Sequence, residues 1–142
     1  MKRFSLVAVF LILALAAAAP APAQDNSQAE AQAVQAAMDW LALVDAGEWE
    51  ASWDQASEFF KSVVVKSEWV QMVSGVRSSM GAVFSRQVQS AQYATSLPGA
   101  PDGEYVVIEF ATSFANKAQA VETVTPMRDP DGSWRVSGYY IN

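Results

Sequence analysis

Asp45 is the carboxylate whose position most invites a chemical reading. It follows Val34, Met38 and Leu41 at helical spacing and so projects toward the interior that those apolar residues face. A carboxylate placed there has the makings of a general base, with Tyr93, Tyr139 or Tyr140 donating to a developing oxyanion. The same residue also falls in the last turn before Gly47, where a helix dipole disfavours negative charge, and the N–H groups opening the next helix would then be its partners. Both roles stay open on the residues alone. A second grouping is aromatic: Trp40, Trp53, Trp69 and Trp134, with Trp49 and Tyr140. These can line a pocket for an apolar ligand, the indole N–H groups giving direction, or they can be plain core.

Other chemistry is excluded by composition. The 142 residues include no histidine and no cysteine, so Ser–His–Asp and Cys–His nucleophiles, zinc sites of the usual kind, disulfides and iron–sulfur motifs are all out of reach. Lys61, Lys66 and Lys117 lack a serine at Ser-x-x-Lys spacing, and no glycine-rich phosphate loop occurs. Asp129-x-Asp131-Gly132 echoes the opening of a calcium loop, but Pro130 and the missing later ligands make it a hairpin turn. No metal and no cofactor is expected. A net charge of −6 and a pI near 4.5 argue against nucleic acid as a partner.

The elements that must position these residues begin after residue 23. Lys2 and Arg3, the apolar run Phe4 to Ala19 and the small-x-small site Ala21-Pro22-Ala23 read as an export signal cleaved before Gln24. The run is shorter than the ~20 residues that span a bilayer, so no stable membrane anchor is expected after cleavage. The short basic start without twin arginines points to a Gram-negative periplasm or secretion. Residues 24–142 then form a single domain. Ser27-x-x-Glu30 has capping-box spacing and opens a first helix with the stripe Val34, Ala37, Met38, Leu41 and Val44, ended by Gly47. Trp49, Trp53, Ala56 and Phe60 predict a second, short helix, opposed by Glu50, Asp54 and Glu58 on the wet side. Val63-Val64-Val65 fits either a turn or a brief strand. Ser67 is placed to cap a third helix, with Trp69, Met72, Val73, Val76 and Met80 buried.

Beyond Gly81 the period falls from about 3.6 to 2. Four strands are predicted: Phe84 to Leu97, Tyr105 to Phe114, Ala118 to Met127 and Trp134 to Ile141. Short turns at Pro98 to Gly103 and at Asp129 to Gly132 favour an antiparallel meander. In the second strand Val106, Ile108, Phe110 and Phe114 face one way and Tyr105, Glu109 and Ser113 the other. Pro126 belongs at a bulge or unpaired edge, because it cannot donate to a ladder. Burying one apolar face per element gives an α+β domain, three helices laid on one face of a curved four-stranded antiparallel sheet. Glu109 and Arg135 fall on the outer sheet face, where they are expected to pair.

The segments Trp40 to Gly47, Ala51-Ser52-Trp53, Thr95 to Tyr105 and Asp131 to Ile141 resemble the bacterial family DUF4019, whose function is unknown. Its Asp-x-Gly at the end of the first helix and its Trp-Arg-Val-x-Gly-Tyr-Tyr final strand are also similar to the NTF2-like superfamily. That likeness implies helices closed against a curved sheet as a cone, often with a pocket inside. Three readings follow. The preferred one is a non-enzymatic envelope module binding a small apolar ligand or an envelope protein. The alternative is a small isomerase- or dehydratase-type enzyme using Asp45 with a tyrosine. The third is a homodimer formed through Tyr105, Val107, Tyr139 and Ile141 on the outer sheet face.

Overall fold

The computed structural model describes residues 25–142; the export signal lies outside the described residues. Four helices precede four strands: α1 (Ser27–Asp45), α2 (Trp49–Asp54), α3 (Glu58–Val63), α4 (Lys66–Met80), β1 (Val83–Ala94), β2 (Tyr105–Phe114), β3 (Lys117–Arg128) and β4 (Trp134–Ile141). The strands form one antiparallel sheet in the order β1-β2-β3-β4. The expected α+β layering is therefore present, with one more helix than predicted.

The extra helix arises because the second amphipathic segment breaks at Ser57. Its backbone is extended, its hydroxyl accepts the Phe60 N–H at 3.1 Å, and its own N–H donates to the Val136 carbonyl on β4 at 2.9 Å. Anchoring to the sheet edge outweighs one more turn of helix. Val64 and Val65 are the extended link between α3 and α4, so the valine triplet makes a turn and no strand.

Two predicted caps are absent. Asn26, not Ser27, precedes α1, and the Glu30 carboxylate reaches β1 to accept the Tyr93 N–H at 3.3 Å. Helix α4 starts at Lys66 behind an extended Val65 that supplies no side-chain bond, which leaves Ser67 inside the first turn. Its other end is closed by the β2–β3 turn, where Asn116 donates its backbone N–H to Met80 and its side-chain amide to Ser79.

The helix stripes are rotated from those expected. Ala33, Ala37, Trp40, Leu41 and Val44 face the sheet on α1, and Trp69, Val73 and Arg77 are the buried residues of α4. Met38, Met72 and Val76 lie on exposed flanks. On α1 Ala33 and Trp40 join the expected Ala37, Leu41 and Val44 in the buried arc, and Met38 falls outside it. On α4 it is an arginine that takes the buried arc. Strand β2 alternates as predicted, with Val106, Ile108 and Phe110 in the core and Phe114 buried beside it. Pro126 sits at a bulge, where the β3–β4 register shifts between Thr125 and Pro126. Among the described residues no helix is long and apolar enough to cross a membrane.

Two glycines of contrasting backbone test the local reading. Gly47 has φ +74°, which an L side chain tolerates poorly, whereas Gly75 is an exposed interior residue of α4 with open space around a Cβ. Gly47→Ala is expected to destabilise by about 1 kcal/mol and Gly75→Ala to stabilise by a similar amount. Urea midpoints of the two variants measure the opposite signs.

Candidate functional site

Six polar side chains from α1, α4 and all four strands meet between the layers. Glu122 lies on β3 in phase with Ala120 and Val124, which points it into the core. It has no solvent exposure and accepts from four donors: Arg86 Nε at 2.7 Å, Arg86 Nη2 at 3.2 Å, Thr112 Oγ1 at 2.6 Å and Tyr139 Oη. That number matches the acceptor capacity of an ionised carboxylate. Arg86 comes from β1, directly opposite Thr112 of β2, and Tyr139 comes from β4.

Arg86 also turns toward Asp45 at the end of α1. Its Nη1 lies 2.7 Å from Asp45 Oδ2 and its Nη2 3.0 Å from Oδ1. Arg77 of α4, two turns beyond Trp69, adds Nη2 at 2.7 Å from the same Oδ1. The Arg77 guanidinium stacks 5.2 Å from the Phe114 ring, while its Nε and Nη1 are buried without a partner. Side-chain exposure rises outward through this lattice, from zero at Glu122 to 14% at Arg86 and 31% at Asp45. Two cations and two anions alternate, so the lattice is neutral as a whole.

Protonation equilibria follow from these neighbours. Burial pushes the Asp45 pKa up, but the hydrogen bonds and charges of Arg86 and Arg77 outweigh it and hold the carboxyl below its ordinary value. Arg86 loses proton affinity by burial and regains more from Asp45 and Glu122, so its pKa is raised. The Tyr139 phenol is pushed well up by burial, by the Glu122 charge and by the hydrogen bond it donates there.

Neither role read for Asp45 from the sequence covers its environment: its partners are two guanidinium groups, not the backbone N–H groups after Gly47. Tyr139 shares the lattice with it through Glu122 and Arg86. Tyr93 is elsewhere, its hydroxyl donating to Glu104 Oε1 at 3.0 Å. Tyr140 is exposed on the face opposite Tyr139. Trp40 and Trp69 are buried, their rings 5.9 Å apart, and both indoles converge on Ser52: Trp40 Nε1 donates to its carbonyl at 2.8 Å and Trp69 Nε1 to its hydroxyl at 3.0 Å. Tyr139 packs edge-on against Trp40 at 5.3 Å. Trp53 is committed separately, donating to the Val64 carbonyl beneath the Lys66 ammonium.

Trp134 joins Trp40 in a surface cleft of about 420 Å³, with Ala36, Leu43, Ala51 and Val136 as apolar walls and Asp39, Gln55 and Arg135 around them. Its Nε1 is buried without a hydrogen-bond partner. Of the aromatic grouping, then, Trp40 and Trp134 share a site, Trp69 backs it, and Trp53 and Tyr140 stand apart.

Two further expectations are corrected. Arg135 binds Asp129 Oδ2 at 3.2 Å and Asp131 Oδ2 at 3.1 Å, while Glu109 faces the Ser90 hydroxyl; the Glu109–Arg135 pair does not form because the hairpin carboxylates are nearer. The Asp129–Gly132 segment is the expected hairpin, closed by the Gly132 N–H on the Asp129 carbonyl. Tyr139 points inward, and Tyr105 is buried with its hydroxyl on the Pro101 carbonyl, so Tyr105, Val107, Tyr139 and Ile141 do not make one outer face. Among the described residues no group of three or more acidic side chains is placed to hold a metal ion.

Arg77, Arg86, Thr112 and Glu122 escaped the sequence reading. The available signal was phase: Glu122 alternates with Ala120 and Val124, and Arg77 follows Trp69 and Val73 at helical spacing. Removing Glu122 leaves Arg86 buried with half its partners, so Glu122→Ala is expected to lose about 3–5 kcal/mol in urea denaturation. Because the folded-state Asp45 pKa lies below the unfolded one, its contribution is complete above about pH 4 and fades as pH falls through the lower, folded value. Asp45→Asn should accordingly show a shallower acid limb than the parent when stability is measured against pH.

No curated protein and no solved structure matches the chain. A family model does: residues 36–139, nearly all of the helix–sheet domain, match the one described as a protein of unknown function, DUF4019. The chain belongs to the DUF4019 family.

Proposed function

We propose that the protein is a non-enzymatic binding module that takes an apolar group between Trp40 and Trp134. The observation that carries this reading is the Trp134 indole, whose N–H is buried beside an apolar cleft without an acceptor; buried donors in native proteins are nearly always paired. The cleft's volume, about 420 Å³, lies within the ~300–1,000 Å³ of small-ligand sites. Aliphatic walls and an unpartnered donor on a lining residue suit a compact hydrophobic moiety bearing a carbonyl oxygen, whether on a small molecule or on a side chain of an envelope protein, once the indole turns to meet it. Lys2 to Ala23 support export to the periplasm as the setting.

The isomerase or dehydratase reading draws on one observation, the hydrogen-bonded run Asp45–Arg86–Glu122–Tyr139. The shifts oppose it. A base at neutral pH is tuned upward and an acid downward, whereas Asp45 is held low and Tyr139 high, and Glu122 has no acceptor site left.

Benzamide, a flat apolar ring carrying a carbonyl, is a suitable probe. Titration is expected to move the Trp134 indole N–H resonance saturably in the parent protein, and Ala36→Trp, which fills the cleft, should abolish the movement. An indole resonance that stays fixed up to the solubility limit of benzamide would reject the binding reading.

A further inference from the structure

The Asp45 end of the lattice has the construction of an anion receptor holding its own occupant. Three N–H groups converge on that carboxylate, Arg77 Nη2 at 2.7 Å, Arg86 Nη1 at 2.7 Å and Arg86 Nη2 at 3.0 Å. Arg86 does not depend on Asp45 for its position, whereas Asp45 is the one side-chain hydrogen-bond partner of Arg77 among the described residues. Arg86 is gripped by both oxygens of Glu122, and Arg77 lies against the Phe114 ring, 5% exposed, with two of its nitrogens unpartnered. The receptor is therefore preorganised on the Arg86 side, with Arg77 confined by packing alone.

The occupant is the loosest charged member. Asp45 has the greatest exposure of the four, it stands in the last turn of α1 where the helix dipole works against it, and Gly47 follows at φ +74°. Beside it a cleft of about 360 Å³, lined among others by Val44, Trp49, Arg77 and Ala82, gives access from solvent. Were Asp45 to swing outward, two guanidinium groups would face Glu122 alone, and one small monoanion would restore neutrality.

We infer that Arg77 and Arg86 form a carboxylate-binding site whose resident occupant is Asp45, and that a small monocarboxylate entering past Val44 and Trp49 takes its place. This site is separate from the Trp40–Trp134 cleft and stands or falls independently of it. Because a tethered carboxylate competes at a high effective concentration, the intact protein binds free carboxylates weakly, and truncating Asp45 reveals the site.

The test is rescue of Asp45→Ala by sodium formate and sodium acetate, with sodium chloride at matched ionic strength as control. Asp45→Ala should melt below the parent. Formate and acetate should restore most of the lost melting temperature with saturation, chloride should not, and Asp45→Ala/Arg77→Met should show no rescue. Equal effects of chloride and formate, or rescue that persists without Arg77, would overturn the assignment. If Asp45→Ala is unfolded in buffer, formate-dependent appearance of a cooperative melt is the supporting result, and a chain that stays unfolded in formate counts against the site.

Discussion

A carboxylate with no contact with water is tolerated in a core only where fixed donors and a cation replace its hydration. Glu122 meets that condition through Arg86, Thr112 and Tyr139, one from each of the other three strands. The alignment of the whole sheet thus converges on a single pair of oxygens. Moving one strand by a residue would turn its donor to the opposite face and leave charge stranded in the core. Apolar residues at these positions would fill the space without penalising such a slip so heavily.

The helical layer is joined to that centre through two kinds of contact. Arg86 extends the ionic chain from β3 across β1 to the C-terminal turn of α1, and Arg77 ties in α4. Ser52 does the corresponding work among the aromatics, receiving indole N–H groups from α1 and α4 while its hydroxyl donates to the Trp49 carbonyl at 2.6 Å. Large rings and paired charges pack under the helices, and the Trp40–Trp134 cleft and the one beside Asp45 are open to solvent.

Local signals carried most of the architecture. Gly47, the period change after Gly81, the alternation of Val106 to Phe114 and the awkward Pro126 each report on neighbours close in the chain, and the elements that they border follow from them. The lattice was illegible for the opposite reason. Arg86 and Glu122 are 36 residues apart and Arg86 and Asp45 are 41 apart, so their pairing depends on how elements stack, and a charge in phase with apolar neighbours is equally compatible with a twisted, wet position. Glu30 has capping-box spacing in the sequence and Ser57 interrupts an amphipathic stripe, yet the long-range partners of both, Tyr93 and Val136, are on the sheet.

Those two long-range bonds have a further effect, because β1 and β4 are the outer strands. An open outer strand offers a ladder of free amides and carbonyls on which another chain can grow. Ser57 occupies the Val136 carbonyl on one side, Glu30 occupies the Tyr93 amide on the other, and β1 carries two register shifts of its own. Each margin is interrupted before a run of pairings long enough to template a fibril can assemble.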